Sequence, residues 1–595
     1  MLMIDQRIET LRAEMRREHL AAYIFTSTDP HNGEYVPDHW KSREWISGFN
    51  GSAGTAVVTM TGAALWTDSR YFIAAEEQLQ GTEFQLMKLK MPETPTIAQW
   101  IGQQVAKGGY DSTEVAINGM TNGCEMVETL IAELRKEGGL TLRTNYDPLP
   151  AIWTDRPTIP QNKVELHPLN YTGEDTTSKL KRIRAALREK HADGMLVSAL
   201  DDIAWTLNLR GTDVHCTPVF VAYLLISSQQ VTLFIDSQKL TPDVFHYLQQ
   251  CGIGIEDYRN IAKALADYPE YNILLDPNET CYTLMNVVRR EIVREESPIA
   301  RMKTIKNATE IEGFRQAMLK DGVAMVKFLC WLKPAVEAGG QTEMSLDRKL
   351  TALRAEQKDY RDLSFDTICG YEAHGAIVHY EATPETDIPI APQGLVLLDS
   401  GAQYLDGTTD ITRTIALGPL TDEQRWAYTL VLRGHIQLAM CKFPRGASGT
   451  QMDVLARQFL WREGLNYLHG TGHGVGQYLS VHEGPHQFRM EWKPAPFVPG
   501  MTVTNEPGIY LPGRFGVRIE NTMLVTPYMT TEFGEFLQLE PLTLCPIDTT
   551  PIMREMMTAE ETNWLNAYHE NVYKNLAPHL NDEEREWLKQ ATLPI

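Results

Sequence analysis

Four short stretches in the second half of the chain gather carboxylates and imidazoles. The first is Leu398-Asp399-Ser400-Gly401-Ala402, followed closely by Thr409-Asp410-Ile411-Thr412-Arg413. The second is His469-Gly470-Thr471-Gly472-His473-Gly474-Val475-Gly476, where four glycines in eight residues let the backbone approach a ligand closely. The third is Thr504-Asn505-Glu506-Pro507-Gly508, in which the following proline holds Glu506 extended. The fourth is Arg518-Ile519-Glu520-Asn521, a carboxylate on an otherwise apolar strand. Each has an ordinary reading taken singly. Asp399 can cap a turn, Asp410 can pair with Arg413 or a lysine, and a charge inside a strand usually lies on a solvated face.

Asp399, Asp410, His473, Glu506 and Glu520 together give four carboxylates and one imidazole, with no thiolate. Four carboxylates buried side by side repel one another unless cations neutralise them. An oxygen-rich set suits hard or borderline ions, Mn²⁺ first and Co²⁺ or Zn²⁺ after it. Two divalent ions ~3.5–4 Å apart would neutralise the group and acidify a shared water, giving a nucleophile near neutral pH.

The elements that must position these groups are legible in outline. Apolar patterning predicts strands over 394–404, 408–417, 501–504 and 517–526. Asp406-Gly407 and Pro512-Gly513 supply turn chemistry for two hairpins. Thr421 is placed to cap a helix through Trp426, Leu430 and Ile436. Thr450 is placed to cap another carrying Met452, Leu455 and Phe459, with Gly464 as its stop. Thr309 and Glu310 open a long amphipathic helix, and the tail after Pro551 reads as helical.

The first half repeats itself. Leu11 to Glu18 leads into Ala21-Ala22-Tyr23-Ile24-Phe25, and Ile183 to Glu189 leads into Asp193-Gly194-Met195-Leu196-Val197. Each copy is a helix running into an apolar strand, and a tryptophan segment follows each, around Trp45 and Trp205. Two related α/β domains are expected, with boundaries near Trp153–Pro160 and Pro298–Lys306: residues 1–157, 158–303 and 304–595. The fold class is therefore α/β with α+β character.

Composition sets the limits. With 595 residues, 43% hydrophobic and 22% charged, the chain has material for several cores. A net charge of −22 disfavours nucleic acid and anionic membranes as partners. The start, Met1 to Arg7, lacks the apolar core of a secretory signal, and no apolar run is long enough to span a bilayer. The eight cysteines are scattered without a CxxC pair, which fits reduced thiols in the cytoplasm.

The segments Asp399 to Tyr404, Asp410 to Thr414, His469 to Gly476, Val481 to Pro485, Asn505 to Gly508 and Arg518 to Asn521 resemble the pita-bread metallopeptidases of family M24, and within them the cytosolic three-domain Xaa-Pro aminopeptidases. Gly48 to Thr55, Trp66 to Phe72, Trp153 to Pro157, Asn208 to Asp213 and Tyr568-His569 extend the resemblance along the whole chain. It implies two creatinase-like domains ahead of a pita-bread domain. It implies release of the first residue from peptides with proline second, two metal ions per subunit and a homodimer. It further implies that Asp399 binds one ion, His473 and Glu506 the other, and that Asp410 and Glu520 bridge them. Glu506 would move the proton. His379 and His482 would bind substrate and assist catalysis, and His469, Tyr510, Arg518 and Arg70 would contact peptide. For Tyr510 a packed hairpin aromatic is the competing reading. Asn505, Asp366 and His374 depart from the family pattern; none is a proposed metal ligand, and the departures bear on fine specificity rather than reaction class. Within the resemblance, a prolidase restricted to dipeptides, a methionine aminopeptidase, a metal-free hydrolase and a non-catalytic binding protein are the alternatives. The five filled ligand positions and the long N-terminal region count against the last three.

Overall fold

The computed structural model describes residues 3–108 and 111–595. Met1 and Leu2, at the head of the stretch read for a signal, lie outside the described residues. The chain folds as two units, one running to His167 and joined by Glu174–Ile299, the other made of Pro168–Gly173 with Ala300–Ile595.

The first unit holds the predicted duplication. Helix α1 (Ile4–Arg17) leads into strand β1 (Ala22–Thr26), and helix α2 (Thr176–Glu189) leads into β7 (Met195–Val197). The first sheet adds β2 (Thr55–Thr59), β3 (Ala63–Thr67), β4 (Phe84–Lys88), β5 (Glu114–Ile117) and β6 (Thr141–Arg143), in the order β4-β3-β2-β1-β5-β6. The second adds β8 (Tyr223–Ile226), β9 (Val231–Phe234), β10 (Ile253–Glu256), β11 (Asn272–Leu275) and β12 (Glu291–Arg294), in the equivalent order β10-β9-β8-β7-β11-β12. In both, the strand after the helix is central, pairing antiparallel on one side and parallel on the other. Alternation along β1 sends Tyr23 and Phe25 to one face with Ile8, Leu11 and Met15 of α1, and Ala22 and Ile24 to the other with Trp100 and Ile101. Burying each large side chain there contributes about 1.5–3 kcal/mol. The repeated tryptophans are buried: Trp45 stacks on Trp153 with centroids 5.2 Å apart, and Trp205 lies under the Lys179 ammonium at 4.2 Å.

In the second unit, helix α3 (Ala308–Ala338) opens one residue earlier than predicted. Asn307 is its cap and exchanges bonds with Glu310, satisfying two end donors. Thr421 caps helix α4 (Asp422–Ala439) as its spacing predicts. The helix assigned to Thr450 is two pieces. Ser448 caps a turn at Gly449–Met452 and helix α5 (Val454–Arg462) follows; Thr450 lies inside the first turn, where its hydroxyl donates to the Glu491 carbonyl at 3.0 Å. Helix α6 (Ala559–Leu576) lies in the helical tail.

Strands β13 (Ile368–Tyr371), β14 (Leu395–Ser400) and β15 (Ile411–Ala416) form an antiparallel sheet in that order. After them come β16 (Gly472–Gly474) paired with β17 (Glu483–Phe488), and β18 (Thr502–Asn505). Next are the hairpin β19 (Gly508–Leu511) and β20 (Phe515–Arg518), then β21 (Asn521–Thr531) and β22 (Gly534–Pro541). Strand β21 lies between β18 and β22.

The sequence predicts three unbroken strands where the structure has breaks. The first breaks at Gly401, where the chain leaves β15 and pairs instead with residues 360–363 and 407–408, and only glycine fits against Ser364 Oγ and the Thr409 carbonyl. The second breaks at Thr409-Asp410, between a short strand at Gly407–Thr408 and β15. The third is interrupted at Ile519-Glu520, where the Glu520 N–H crosses to the Thr412 carbonyl at 3.1 Å. One turn also shifts: Tyr404 pairs with Gly407, so the loop is Leu405-Asp406. Gly407 lies within its short strand, where its missing side chain leaves room for Phe314 and Ala317 of α3. Val431 and Leu432 of α4, Leu565 and Val572 of α6, and Val517 and Ile519 share one core behind these breaks. Among the described residues, no helix is long and apolar enough to cross a membrane.

Candidate metal centre and peptide site

Strand register brings the distant carboxylates together. In the β14–β15 pair Asp399 lies opposite Thr412, and in the β18–β21 pair Asn505 lies opposite Asn521. Glu506 and Glu520, which flank those asparagines, thus leave neighbouring strand ends. The Glu506 N–H donates to the Thr471 carbonyl at 2.8 Å and the His473 N–H to Thr504 Oγ1 at 3.0 Å, which ties the glycine-rich loop to the same edge.

One donor atom each from Asp410, His473 and Glu520 lie within 4.8 Å of one another. His473 Nε2 is 3.4 Å from Asp410 Oδ2 and 3.4 Å from Glu506 Oε1. Its Nδ1–H donates to the Gly474 carbonyl at 2.9 Å, which aims Nε2 at the carboxylates. Thr412 Oγ1 donates to Glu520 Oε2 at 2.7 Å, and Thr504 Oγ1 to Glu506 Oε1 at 3.1 Å. Asp399 Oδ2 accepts from Arg518 Nη2 at 2.6 Å and Nε at 3.1 Å, while its Oδ1 is buried with no hydrogen-bond partner.

The electrostatics follow from that crowding. Burial, then the charge of Asp410, raises the Asp399 carboxyl, although Arg518 opposes the rise. Burial raises Glu506 to about 7, with Asp410 and Asp399 adding to the rise against His473 and Arg518. Glu520 is raised well above the usual carboxylate range by burial and by the charges of Asp410, Glu506 and Asp399. Burial works against the His473 cation, but Asp410 and Glu506 outweigh it and lift the imidazole to about 9. A partnerless buried oxygen and three carboxylates raised by burial and by acidic neighbours are the conditions that a bound cation relieves. The donor set of Asp399, Asp410, His473, Glu506 and Glu520 therefore fits divalent metal.

A polar chain leads away from Asp399. Arg518 Nη1 donates to the Tyr510 hydroxyl at 2.6 Å, and that hydroxyl lies 2.8 Å from His469 Nε2. Arg518 Nη2 also reaches the Val378 carbonyl at 3.3 Å, anchoring the turn that carries His379. The other end of that segment is held by buried Glu343, which accepts from the Tyr371 N–H at 2.8 Å, the Tyr380 hydroxyl at 2.9 Å and His374 Nδ1 at 2.9 Å. The His482 ring stands perpendicular to His473 with centroids 4.3 Å apart.

Residues 312–527 match Metallopeptidase family M24, 7–140 and 155–310 match the Creatinase/Prolidase N-terminal domain, and 535–595 match the C-terminal region of peptidase M24. Xaa-Pro aminopeptidase 1 of Dictyostelium discoideum is 38% identical, with the alignment covering 100% of this chain and 97% of that one. Aminopeptidase P1 of Arabidopsis thaliana is 36% identical, with 97% of each covered. The X-prolyl aminopeptidase of Caenorhabditis elegans is 32% identical and covers 100% of both chains, with a TM-score of 0.95. That enzyme is described as cytosolic, with a di-nuclear active site.

The chain belongs to the Xaa-Pro aminopeptidases of family M24.

Within this family member, the structure brings Asp399, Asp410, His473, Glu506 and Glu520 together, with Arg518, Tyr510, His469, His482 and the His379 turn around them. Arg70 belongs to the other unit, where it forks onto Asp68 with two bonds of 2.8 Å. Three ordinary readings give way. Arg413 does not pair with Asp410; its guanidinium takes carbonyl, amide and hydroxyl oxygens instead. Glu520 is 1% exposed rather than solvated. Tyr510 is hydrogen-bonded into the site and not merely packed. Sequence reasoning overlooked Thr412, Thr504 and Glu343. Thr412 was recoverable, since Asp410 and Thr412 are two apart in extended chain and so share a face. Glu343 carried no local signal.

Proposed function

We propose that this chain is a metal-dependent Xaa-Pro aminopeptidase, hydrolysing the bond between the first residue of a peptide and a proline in second position. The observation that carries the reading is the convergence of five donor side chains, Asp399, Asp410 and Glu520 buried and His473 and Glu506 half-buried, in a chain whose relatives match it from end to end. Asp399, Asp410, His473, Glu506 and Glu520 would hold two divalent ions, manganese first for so oxygen-rich a set, with cobalt or zinc as alternatives. When bound, such ions supply positive charge that polarises a peptide carbonyl and acidifies water.

The protein groups do the rest. Glu506 is a carboxylate poised to take a proton and pass it to the leaving nitrogen. His379 and His482 donate hydrogen bonds where negative charge develops on the peptide oxygen. The Arg518–Tyr510–His469 chain fixes one wall of the site and holds Asp399 in one orientation. Proline makes a tertiary amide without an N–H, so a wall that asks for no such donor accepts it. Arg70 contacts peptide, a role supported by the resemblance of its segment alone. The same resemblance supports a cytoplasmic homodimer and a division into residues 1–157, 158–303 and 304–595; sedimentation tests the dimer.

The decisive assay incubates manganese-loaded protein with a tripeptide carrying proline second, with and without chelator. Metal-dependent release of the first residue is expected. No release overturns the peptidase reading, and cleavage of Xaa-Pro dipeptides alone converts it to a prolidase.

A further inference from the structure

Arg413 is a fully buried guanidinium whose partners are all uncharged. Its Nε donates to the Pro546 carbonyl at 3.0 Å, and its Nη1 to the Thr412 carbonyl at 3.0 Å and the Glu520 carbonyl at 2.6 Å. Its Nη2 reaches Asn521 Oδ1 at 2.8 Å, the Cys545 carbonyl at 2.8 Å and the Tyr568 hydroxyl at 3.0 Å. An unpaired buried cation costs several kcal/mol unless its surroundings compensate it. Here every donor is satisfied, and the nearby carboxylate cluster supplies negative charge. The grip falls on one place, the Glu520 carbonyl and the Asn521 side chain, at the strand break that delivers the Glu520 carboxylate.

The far side of the grip is the tail helix α6. The Tyr568 hydroxyl accepts from Arg413 Nη2 and has one proton to share among the Cys545 carbonyl at 2.8 Å, the Thr543 carbonyl at 3.0 Å and Asn521 Oδ1 at 3.3 Å. Its ring stacks flat on Trp564, with centroids 5.4 Å apart and 4° between planes. Trp564 meets the edge of His435 at 6.0 Å, and His435 exchanges bonds with Asn505: its Nδ1 donates to the Asn505 carbonyl at 3.1 Å and its own carbonyl accepts from Asn505 Nδ2 at 2.9 Å. His569 Nε2 accepts the Ile547 N–H at 3.1 Å, fixing the stretch whose Cys545 and Pro546 carbonyls hold Arg413. The two asparagines, opposite each other across β18 and β21, are thus held from behind, one step from Glu506 and one step from Glu520.

We infer that Arg413, Asn521 and Tyr568 form a positioning brace, through which the C-terminal helix sets the Glu520 carboxylate for metal. None of the three touches substrate; each acts through the backbone and neighbour of Glu520. This rests on Glu520 being a metal ligand, as proposed above. Partners one shell out from a metal typically set its affinity or the enzyme's activity by 10–100-fold.

The test compares Tyr568→Phe, which keeps the ring on Trp564 and removes only the hydroxyl, with Arg413→Lys, Glu520→Gln and Leu565→Ala. Leu565 is fully buried on the same helix and is not one of the brace partners, so its truncation reports loss of stability alone. Each protein is titrated with manganese by calorimetry, its bound metal is counted, and its thermal midpoint and kcat/KM are measured. Tyr568→Phe is expected to weaken the looser manganese site about tenfold and Arg413→Lys by more, while Leu565→Ala lowers the midpoint without moving affinity. Manganese affinity within twofold of the parent in both Tyr568→Phe and Arg413→Lys overturns the brace. So does an equal loss of affinity in Leu565→Ala. If Glu520→Gln itself keeps two ions at parental affinity, the metal reading of Glu520 fails first and takes the brace with it. If Glu520→Gln loses metal while the brace variants do not, only the brace fails.

Discussion

Two buried aspartates, one in each unit, show how differently the molecule treats charge. In the N-terminal unit Asp213 accepts from Lys239 Nζ at 2.6 Å and from the Val221 N–H at 2.7 Å, so the ion pair is closed within the protein. In the metallopeptidase unit Asp399 shares its one cation, Arg518, with a site that also holds Asp410, Glu506 and Glu520, and one of its oxygens has no hydrogen-bond partner. Elsewhere that unit matches buried acids one to one with cations, as Lys306–Glu483, Arg354–Asp321 and Arg457–Asp453 show. The shortage of positive charge is therefore local. A fold that balances buried charge at Asp213 and leaves it unbalanced at Asp399 has placed a demand for cations in one position.

That contrast can be broken most sharply at Glu520. Glu520→Gln removes one charge from the cluster with little change of shape. It is expected to lower kcat by more than ~100-fold, beyond the effect of a typical outer partner, while circular dichroism stays unchanged. Parental turnover at controlled manganese would show that the cluster is not a metal centre. Next comes Lys239→Met, which strands Asp213 and should destabilise the N-terminal unit by about 3–5 kcal/mol. Thermal unfolding should show it, with bound metal counted as before. A fall in metal content would mean that the two kinds of buried charge are not independent.

Chelation asks the converse question. Ions that bind only the folded state stabilise it by RT ln(1 + [L]/Kd), about 2.7 kcal/mol at a hundredfold excess over Kd. Dialysis against chelator should lower the thermal midpoint of the metallopeptidase unit, in the parent and in Lys239→Met alike, and leave the N-terminal unit of Lys239→Met no further destabilised. Equal midpoints with and without manganese would count against metal binding.

The smallest expected effect is on acid stability. Burial lowers His31 and His435 to about 3, and His486 and His569 to about 4, from the ordinary 6.5. The folded state holds these rings neutral where the unfolded chain would bind protons. Their contribution is complete above pH ~6.5 and is lost as pH falls through about 4 for His486 and His569 and about 3 for His31 and His435. Three of the four lie in the metallopeptidase unit, so limited proteolysis during acidification should open that unit before the other. The reverse order would show that the histidines do not set acid stability.

Much of this was legible in the linear chain. The duplicated helix-then-strand units announced themselves as repeats, and both sheets have the same strand order. Thr421 signalled its helix through local hydrogen bonding alone. The ligand candidates were readable because aspartate, histidine and glutamate beside glycine and proline are unusual on apolar strands. Where the reading failed, the deciding contact came from far away in sequence. Gly401 looked like mid-strand until Ser364 and Thr409 closed on it. Thr450 looked like a cap, but the turn opens one step earlier on Ser448 and the Thr450 hydroxyl reaches across to Glu491.

Residue type, periodicity and turn chemistry act over a few positions, and they determined which elements form and which side chains can bind metal. Tertiary structure decided where the strands break, that Arg413 serves the Glu520 backbone instead of Asp410, and that Arg518 and Tyr510 link Asp399 to His469. Those outcomes depend on hydrogen bonds and exclusions between segments that local patterning cannot relate, and the energy of such a bond exists only once both partners have been brought together and taken out of water.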